Sequence, residues 1–170
     1  MRLTVEVQGE EKLDYAIKSI FDQIDDWREV WPEVELVFYR ATLGQFRSEG
    51  QRGGERWKPL SDNYRKWKEL KHPGQPILVL TGRLRRSLTA TGSEESIRIR
   101  ERTELTLGSS TPYGRFHQTG TRKMSPRPPL VLLRQDYGKI VSRMFRFAER
   151  IGKDAGFKTE TRAQFTPGAE

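Results

Sequence analysis

The N-terminal part of the chain shows the clearest periodicity. Apolar residues recur at spacings of three and four over residues 13–24, which is typical of a helix with one buried face. Ahead of them, Leu3, Val5 and Val7 alternate with polar residues and predict a short, half-buried strand. The helical stripe consists of Leu13, Ala16, Ile17, Ile20, Phe21 and Ile24.

A second helix is predicted to begin at Trp31-Pro32 and to run to about Arg47. Proline fits the first turn of a helix but not its interior, so it separates this helix from the one before. Residues 48–60 then hold three glycines and a proline, which predicts a long loop.

Two helices and a hairpin are predicted next. Ser61 is placed as the N-cap of a helix that ends at the Pro73-Gly74 turn, and Thr81 as the N-cap of the helix TGRLRRSL. Residues 96–100 and 104–108 alternate in polarity and lie close enough for a β-hairpin. The apolar positions of the two strands are Ile97, Ile99, Leu105 and Leu107.

The C-terminal part begins with a strand-like run at residues 130–133 and continues as a helix from about Asp136 to Ile151, with Ile140, Met144 and Phe147 on one stripe. The order of elements predicts an α+β domain, in which a small antiparallel sheet packs against long N-terminal and C-terminal helices. We predict one domain over residues 1–151 and a flexible tail or arm over residues 152–170.

Composition narrows the protein class. Of the 170 residues, 34% are hydrophobic and 32% are charged, so the core is either thin or completed by a neighbouring subunit. The sequence has no cysteine, which excludes disulfides, thiolate nucleophiles and sulfur-ligated metals and suits assembly in the cytosol. The N-terminus has no apolar stretch long enough for a signal peptide, and no later apolar stretch is long enough to span a membrane. We therefore expect a soluble protein without a membrane partner.

Charge is distributed unevenly along the chain. Residues 1–35 hold four basic and ten acidic residues, a net charge of −6, which leaves +14 on the rest of a chain whose total is +8. An acidic end and a basic body can attract each other between copies of the same molecule, or the basic body can face nucleic acid. Charge alone does not decide between these partners.

Signals for catalysis are sparse. The sequence has two histidines, His72 and His117, and neither HExxH nor another metal-ligand spacing. The glycine-rich stretch GQRGG at residues 50–54 lacks the spacing of a phosphate-binding loop. Only proximity in sequence offers His117 a nucleophile, namely Ser109, Ser110 or Thr121. We therefore expect neither an enzyme nor a cofactor.

Arginines form two groups that can neutralise phosphates without reading base sequence. Arg83, Arg85 and Arg86 fall within two turns of one predicted helix, whereas Arg98 and Arg100 share one face of the predicted hairpin. These side chains either face DNA or pair with the acidic segment of a neighbouring copy, and both can hold in a ring around DNA.

Four segments, in this order, resemble a known family. They are RSEGQRGGERWKPLSDNYRKWK, KHPGQPILVLTGRLRRSLT, LGSSTPYGRFHQTGT and PRPPLVLL, within about residues 46–133. Together they are similar to the virion morphogenesis (tail-completion, or neck) family of tailed bacteriophages, which includes Mu G-like and lambda Z-like proteins. Gly114 and Pro129 depart from the residues common in that family.

The resemblance implies a structural virion protein that forms a homo-oligomeric ring at the head–tail junction, with DNA in its lumen. A six-fold ring is preferred and a twelve-fold ring is possible. Implied partners are further copies of the chain, a head-completion, adaptor or stopper protein, the tail terminator and the tail tube protein. The alternatives are a tail terminator and, in another class, a monomeric nucleic-acid-binding protein or nuclease.

Residues 113–133 are then interpreted as a contact between subunits or rings, with packing inside one chain as the alternative. Tyr113 and Phe116 provide aromatic anchors, Gly120 permits a sharp reversal, and three prolines lower the entropy cost of docking. We expect the side chain of His117 to fix the loop by a hydrogen bond to the backbone or to Thr119. The predicted interface residues are Trp57, Pro59, Leu60, Tyr64, Tyr113, Phe116, His117, Gln118, Gly120, Thr121, Pro126, Arg127, Pro128 and Pro129, and the possible lumen residues are Arg83, Arg85, Arg86, Arg98, Arg100, Arg122 and Lys123.

Overall fold

A computed structural model describes the backbone of residues 24–154 and the side chains of residues 24–151. The predicted strand at residues 3–7, the helical stripe up to Phe21 and the tail from residue 155 onward lie outside the described residues. The elements are α1 (Trp31–Arg47), a 3₁₀ turn (Gln51–Gly53), α2 (Asp62–Lys71), α3 (Arg83–Thr89), β1 (Ser96–Arg100), β2 (Leu105–Ser109), α4 (Gly114–Thr119) and α5 (Arg134–Asp154).

The predicted α+β class with a small antiparallel sheet is confirmed. β1 and β2 form a two-stranded antiparallel sheet, and helices supply most of the remaining regular structure of residues 24–154. None of the helices in this part of the chain combines the length and the apolar character needed to cross a bilayer.

Helix α1 is the central element, and its predicted start and end are confirmed. Pro32 occupies the first turn, where its missing N–H is not needed. Apolar residues at helical spacing bury one face along the 17 residues of the helix, which is about 25 Å long at 1.5 Å per residue. Its N-terminal part lies in one hydrophobic cluster and Phe46, near its C-terminal end, lies in another.

Two hydrophobic clusters form the core. In the first, Trp27 packs on Trp31 and Phe147 with ring centroids 6.3 and 5.6 Å apart, which joins the start of α1 to α5. In the second, Trp57 meets Phe46 edge to face at 5.7 Å. Val79, Leu84 and Leu88 complete the second cluster, so α3 contributes a leucine pair at a spacing of four residues.

The hairpin is confirmed, but its faces differ from those expected. The register pairs Arg98 with Leu107 and Ile99 with Thr106. Residues opposite each other in an antiparallel pair lie on the same face of the sheet. The isoleucines and leucines therefore occupy different faces, and the two arginines of β1 share a face with the leucines of β2.

Two predicted caps do not form as expected. Ser61 occupies the N-cap position of α2, as predicted, but its side chain makes no capping hydrogen bond. Gly82, with φ 77°, takes the N-cap position of α3 that was assigned to Thr81. The Thr81 carbonyl accepts a hydrogen bond from Arg86 Nη1 at 2.8 Å, and no side chain caps the first turn of α3.

The run at residues 130–133 is not a strand. Leu130 donates its N–H to Gln118 Oε1 at 3.2 Å and accepts from Gln118 Nε2 at 2.9 Å. The Val131 carbonyl accepts from Arg52 Nη1 at 3.0 Å. Side chains thus satisfy backbone groups that a strand would pair with a neighbouring strand. α5 follows this run and covers the predicted stripe, extending to Asp154 into the predicted tail.

Candidate interaction surface

The segment at residues 113–133 folds as a short helix, a tight reversal and an extended run. α4 carries Tyr113 at its start, and Gly120 ends it with φ 77° and ψ −178°. Thr121 and Met124 then form an isolated antiparallel bridge, with an N–H···O distance of 2.8 Å from Thr121 to Met124. The predicted helical turn and reversal are confirmed.

Arg127 clamps this segment to the loop before α2. Its Nε donates to the Lys58 carbonyl at 2.8 Å, and its Nη2 donates to the Pro59 carbonyl at 2.9 Å. Its own N–H donates to the His117 carbonyl at 2.8 Å. One arginine therefore joins α4, the extended run and residues 58–59 into one surface, and three of the segments that carry the family resemblance meet here.

Trp57 and Pro129 lie under this surface, and Pro128 is half-buried beside them. Trp57 is 4% exposed, and its Nε1 donates to the Pro128 carbonyl at 3.3 Å. Gln45 Nε2 donates to the same carbonyl at 3.1 Å. Pro129 is also buried. The geometry gives Trp57, Pro128 and Pro129 an intrachain role as the floor of the surface.

The exposed part of the surface consists of aromatic and cationic side chains. Tyr113 is 37% exposed and Phe116 39% exposed, and the Arg115 guanidinium lies 4.7 Å from the centroid of the Phe116 ring. Arg122 and Lys123 form the exposed tip of the reversal, beside an open cavity of about 350 Å³ lined by residues 119–126. We call these five side chains the rim: Tyr113, Arg115, Phe116, Arg122 and Lys123.

His117 does not fix the loop through its imidazole in the way the sequence suggested. Its Nδ1 is buried and has no hydrogen-bond partner among the described residues. Thr119 Oγ1 donates to the Arg115 carbonyl at 3.1 Å. The main-chain carbonyl of His117 and the amide of Gln118 fasten the loop instead. In the sequence, the only indication of a role for Gln118 was its position in LGSSTPYGRFHQTGT, one of the segments that carry the family resemblance.

The half-buried His117 is expected to make stability depend on pH. Burial lowers the pKa of its imidazole, and the positive charge of Arg127 lowers it further. An unfolded histidine binds a proton near pH 6.5, whereas the folded one binds it only at lower pH. The unfolded state therefore binds more protons just below that pH, and the free energy of unfolding should fall as the pH drops through about 6.5.

Urea unfolding at pH 7.5, 6.5 and 5.5 tests this prediction. We expect His117→Gln to lack the part of the fall that occurs between pH 6.5 and the lowered pKa. His72→Gln serves as the control, because it leaves His117 in place and keeps that part of the slope. An unchanged slope in His117→Gln would show that the imidazole is not the titrating group.

Gly120 is the residue on which the reversal depends. A Cβ at this position would lie 2.9 Å from the Met124 carbonyl oxygen and 2.9 Å from the Pro126 nitrogen. Its φ and ψ also fall in a region that only glycine adopts readily. We expect Gly120→Ala to lower the free energy of unfolding by about 1–3 kcal/mol in urea titrations.

Gly138 provides a control of opposite sign. It lies within α5, and an added Cβ would meet no atom within 4 Å. Gly138→Ala should raise the free energy of unfolding by about 0.5–1 kcal/mol, because alanine favours a helix over glycine. Equal effects of the two substitutions would contradict the strained geometry assigned to Gly120.

The predicted lumen arginines lie in different environments. Arg98 Nε is 2.9 Å from Glu35 Oε2, Arg100 Nε is 2.5 Å from Glu35 Oε1, and the Glu35 side chain is only 3% exposed. Arg83 Nε is 2.5 Å from Glu95 Oε1. Each of these arginines thus has a carboxylate partner in its own chain. Among the described residues, Arg122 and Lys123 have no such partner.

Hydroxyl groups near His117 are engaged elsewhere. Ser109 Oγ lies 2.6 Å from Ser87 Oγ and 2.8 Å from Thr111 Oγ1, which links β2 to α3. Ser110 Oγ donates to the Glu95 carbonyl at 3.3 Å. No group of three or more His, Asp or Glu side chains converges at metal-ligand distance within residues 24–151.

Comparison with known families decides the identity of the chain at family level. The sequence profile described as the phage virion morphogenesis family matches residues 9–144. The chain belongs to the phage virion morphogenesis family. Comparison with curated proteins and with solved structures gives no match. The range matched by this family contains the rim, the Arg127 clamp and the second hydrophobic cluster, whereas Phe147 and Ala148 of the first cluster lie beyond it.

Proposed function

We propose that this virion morphogenesis protein is a structural, non-enzymatic part of the phage particle, which forms a homo-oligomeric ring at the head–tail junction. In this proposal the ring joins the portal, adaptor or stopper side to the tail terminator and tail tube, and DNA passes through its lumen. Six-fold symmetry is the preferred arrangement, with a twelve-fold ring as the alternative. Contacts in such a ring are heterologous, so each subunit offers two different surfaces.

The rim is the observation that carries the proposal. Its aromatic and arginine side chains are the types that dominate binding at protein interfaces. Beneath it, the Arg127 clamp and the bond from Trp57 to Pro128 hold the backbone in place. A surface that is already ordered loses little conformational entropy when it binds, and this favours assembly.

Mass measurement and negative-stain imaging of the full chain test ring formation. We expect rings, and we expect Phe116→Ala to weaken their formation by roughly 30-fold, as for an interface hot spot worth about 2 kcal/mol. Phe145→Ala on α5 is the matched control, since Phe145 is 36% exposed and Phe116 39% exposed. A monomer that binds DNA tightly and in a salt-dependent manner would favour the nucleic-acid-binding alternative.

Charge reversal tests the DNA-facing residues. Arg122 and Lys123 are the best candidates for the lumen because both are exposed and no described carboxylate pairs with them. Arg98 and Arg100 already bind Glu35. Arg85 and Arg86 also lack a described carboxylate partner, but Arg85 is half-buried and Arg86 donates to the Thr81 carbonyl. We expect Arg122→Glu with Lys123→Glu to reduce DNA retention in filled particles, and the same pair of changes at Lys139 and Arg146 to have no effect. Normal DNA retention in the Arg122→Glu/Lys123→Glu variant would show that these two residues do not face the lumen.

A further inference from the structure

Helix α2 has its charged and apolar sides in an unusual arrangement. The only residue that it buries is Lys68, whose Nζ donates to the Pro76 carbonyl at 2.6 Å. Its apolar residues point outward instead: Tyr64 is 43% exposed, Trp67 44% and Leu70 79%. A helix in a folded domain normally turns its apolar stripe toward the core.

These apolar residues form one continuous strip. Tyr64, Trp67 and Leu70 follow at spacings of three, and the rings of Tyr64 and Trp67 stack with centroids 5.4 Å apart. Lys66 lies four residues before Leu70, and Lys71 four residues after Trp67, so both cations border the strip. We call this set the outer α2 face: Tyr64, Lys66, Trp67, Leu70 and Lys71.

The chain itself supplies a segment of complementary chemistry. Residues 6–22 hold five acidic and two basic residues, whereas residues 56–76, which include α2, hold six basic and two acidic residues. The same N-terminal segment carries the apolar residues from Leu13 to Phe21 of the stripe described from the sequence. The apolar stripe predicted there, in a segment of net negative charge, matches an apolar strip with cationic borders.

We propose that the acidic N-terminal segment of one copy docks on the outer α2 face of the next copy around the ring. The inference rests on the proposed ring, and it names one pair of surfaces that would hold neighbouring subunits together. The apolar residues from Leu13 to Phe21 cover Tyr64, Trp67 and Leu70, and the acidic residues of the segment pair with Lys66 and Lys71.

The positions of the two surfaces favour a contact between copies. The described chain enters beside Trp31, where the Trp27 N–H donates to the Arg102 carbonyl at 2.6 Å. α2 is attached near the other end of α1, where the Ile77 N–H next to Pro76 donates to Glu49 Oε1 at 2.9 Å. The two sites are therefore separated by about the 25 Å length of α1. A head-to-tail neighbour brings them together, as a heterologous interface requires.

Thiol cross-linking tests the contact directly, because the full chain contains no cysteine. Ala16→Cys places a thiol within the stripe of the N-terminal segment, at its smallest side chain, and Asn63→Cys places one on the strip side of α2 without removing an apolar residue. With a flexible bismaleimide, the variant carrying both changes should give a ladder of covalent dimers, trimers and larger species.

The control pairs Ala16→Cys with Thr91→Cys, an exposed position in the turn after α3. We expect no ladder from this control. Cross-linking within single chains would show that the segment covers its own α2 and would overturn the proposal. Absence of any cross-link in the Ala16→Cys/Asn63→Cys variant would also overturn it.

A charge exchange provides an independent measurement. Lys66→Glu with Lys71→Glu makes the outer α2 face acidic, and Glu11→Lys with Asp14→Lys reverses charges in the N-terminal segment. Each variant alone should self-associate at least roughly tenfold more weakly, since like charges then face each other. An equal mixture of the two should assemble, because every contact in an alternating ring again pairs opposite charges.

The mixture also separates this proposal from the ring itself. If the wild-type protein forms rings and the charge variants self-associate as strongly as it does, the docking of the N-terminal segment is refuted and the proposed ring is not. A wild-type protein that stays monomeric by mass and in stained images would refute both. Failure of the mixture to recover, with both single variants folded and weakened, would refute the pairing between copies.

Discussion

Replacing Trp57 with alanine is expected to lower the free energy of unfolding by about 3–5 kcal/mol, the range for removing a large aromatic side chain from a core. Trp57 packs edge to face on Phe46 and is 4% exposed. The Trp57 ring packs directly on Gly50, where a Cβ would lie 2.4 Å from Trp57 Cδ1. Glycine has no side chain that could move into the space left by the ring.

Trp67→Ala is the matched control, because it removes the same side chain from the exposed face of α2. We expect it to change the free energy of unfolding by about 0.5 kcal/mol or less, as is usual for a surface position. Urea titration of both variants, followed by circular dichroism, gives the comparison. A stable Trp57→Ala variant that fails only in assembly would contradict the core position and restore the predicted interface role of Trp57.

Removing Glu35 is expected to produce the second large effect. Its carboxylate is buried in α1 and accepts four hydrogen bonds from the guanidinium groups of Arg98 and Arg100. Glu35→Leu leaves two cations beside the core without a counter-charge. We expect a loss of about 3 kcal/mol, at the low end for a broken buried ion pair, because the side chains of Arg98 and Arg100 are 37% and 29% exposed and retain contact with water.

Two further variants make this prediction specific. Glu33→Leu removes a carboxylate of the same helix whose side chain is 60% exposed and 3.7 Å from Arg143, and it should cost less than about 1 kcal/mol. Adding Arg98→Met and Arg100→Met to Glu35→Leu should recover most of the lost stability, since an apolar replacement of the whole group leaves no buried charge unpaired. No recovery in a guanidinium chloride titration would show that the loss arises from packing.

Periodicity predicted the elements that bury apolar residues in the described chain. α1 and α5 carry their stripes over several turns, and the Trp31-Pro32 step marks the start of α1, so the sequence predicts both helices close to their observed positions. β1 and β2 were equally predictable from the sequence because both alternate in polarity around a short turn. Their cross-strand register could not be predicted, since it depends on which residues lie opposite each other. The observed register separates the isoleucines from the leucines.

The sequence predicted the environments of individual side chains less well than it predicted the helices and strands. Trp57 and Trp67 are both tryptophans next to a lysine in sequence, yet one is buried and the other is exposed. Arg98 and Arg100 looked like solvent-facing cations because their buried partner, Glu35, lies more than sixty positions away in sequence. Long-range pairing of this kind leaves no periodic signal in one sequence. For the candidate surface, aromatic anchors and the Gly120 reversal were predicted, whereas the Arg127 clamp was not.

The Arg127 clamp has a consequence for which substitutions this surface tolerates during evolution. Its acceptors at positions 58 and 59 are main-chain carbonyls, which every amino acid supplies. Lys58 and Pro59 can therefore diverge without loosening the attachment, while lysine in place of Arg127 would lose the planar fork that reaches both oxygens. Related phages could thus alter the chemistry of this loop to suit new neighbours and keep its geometry.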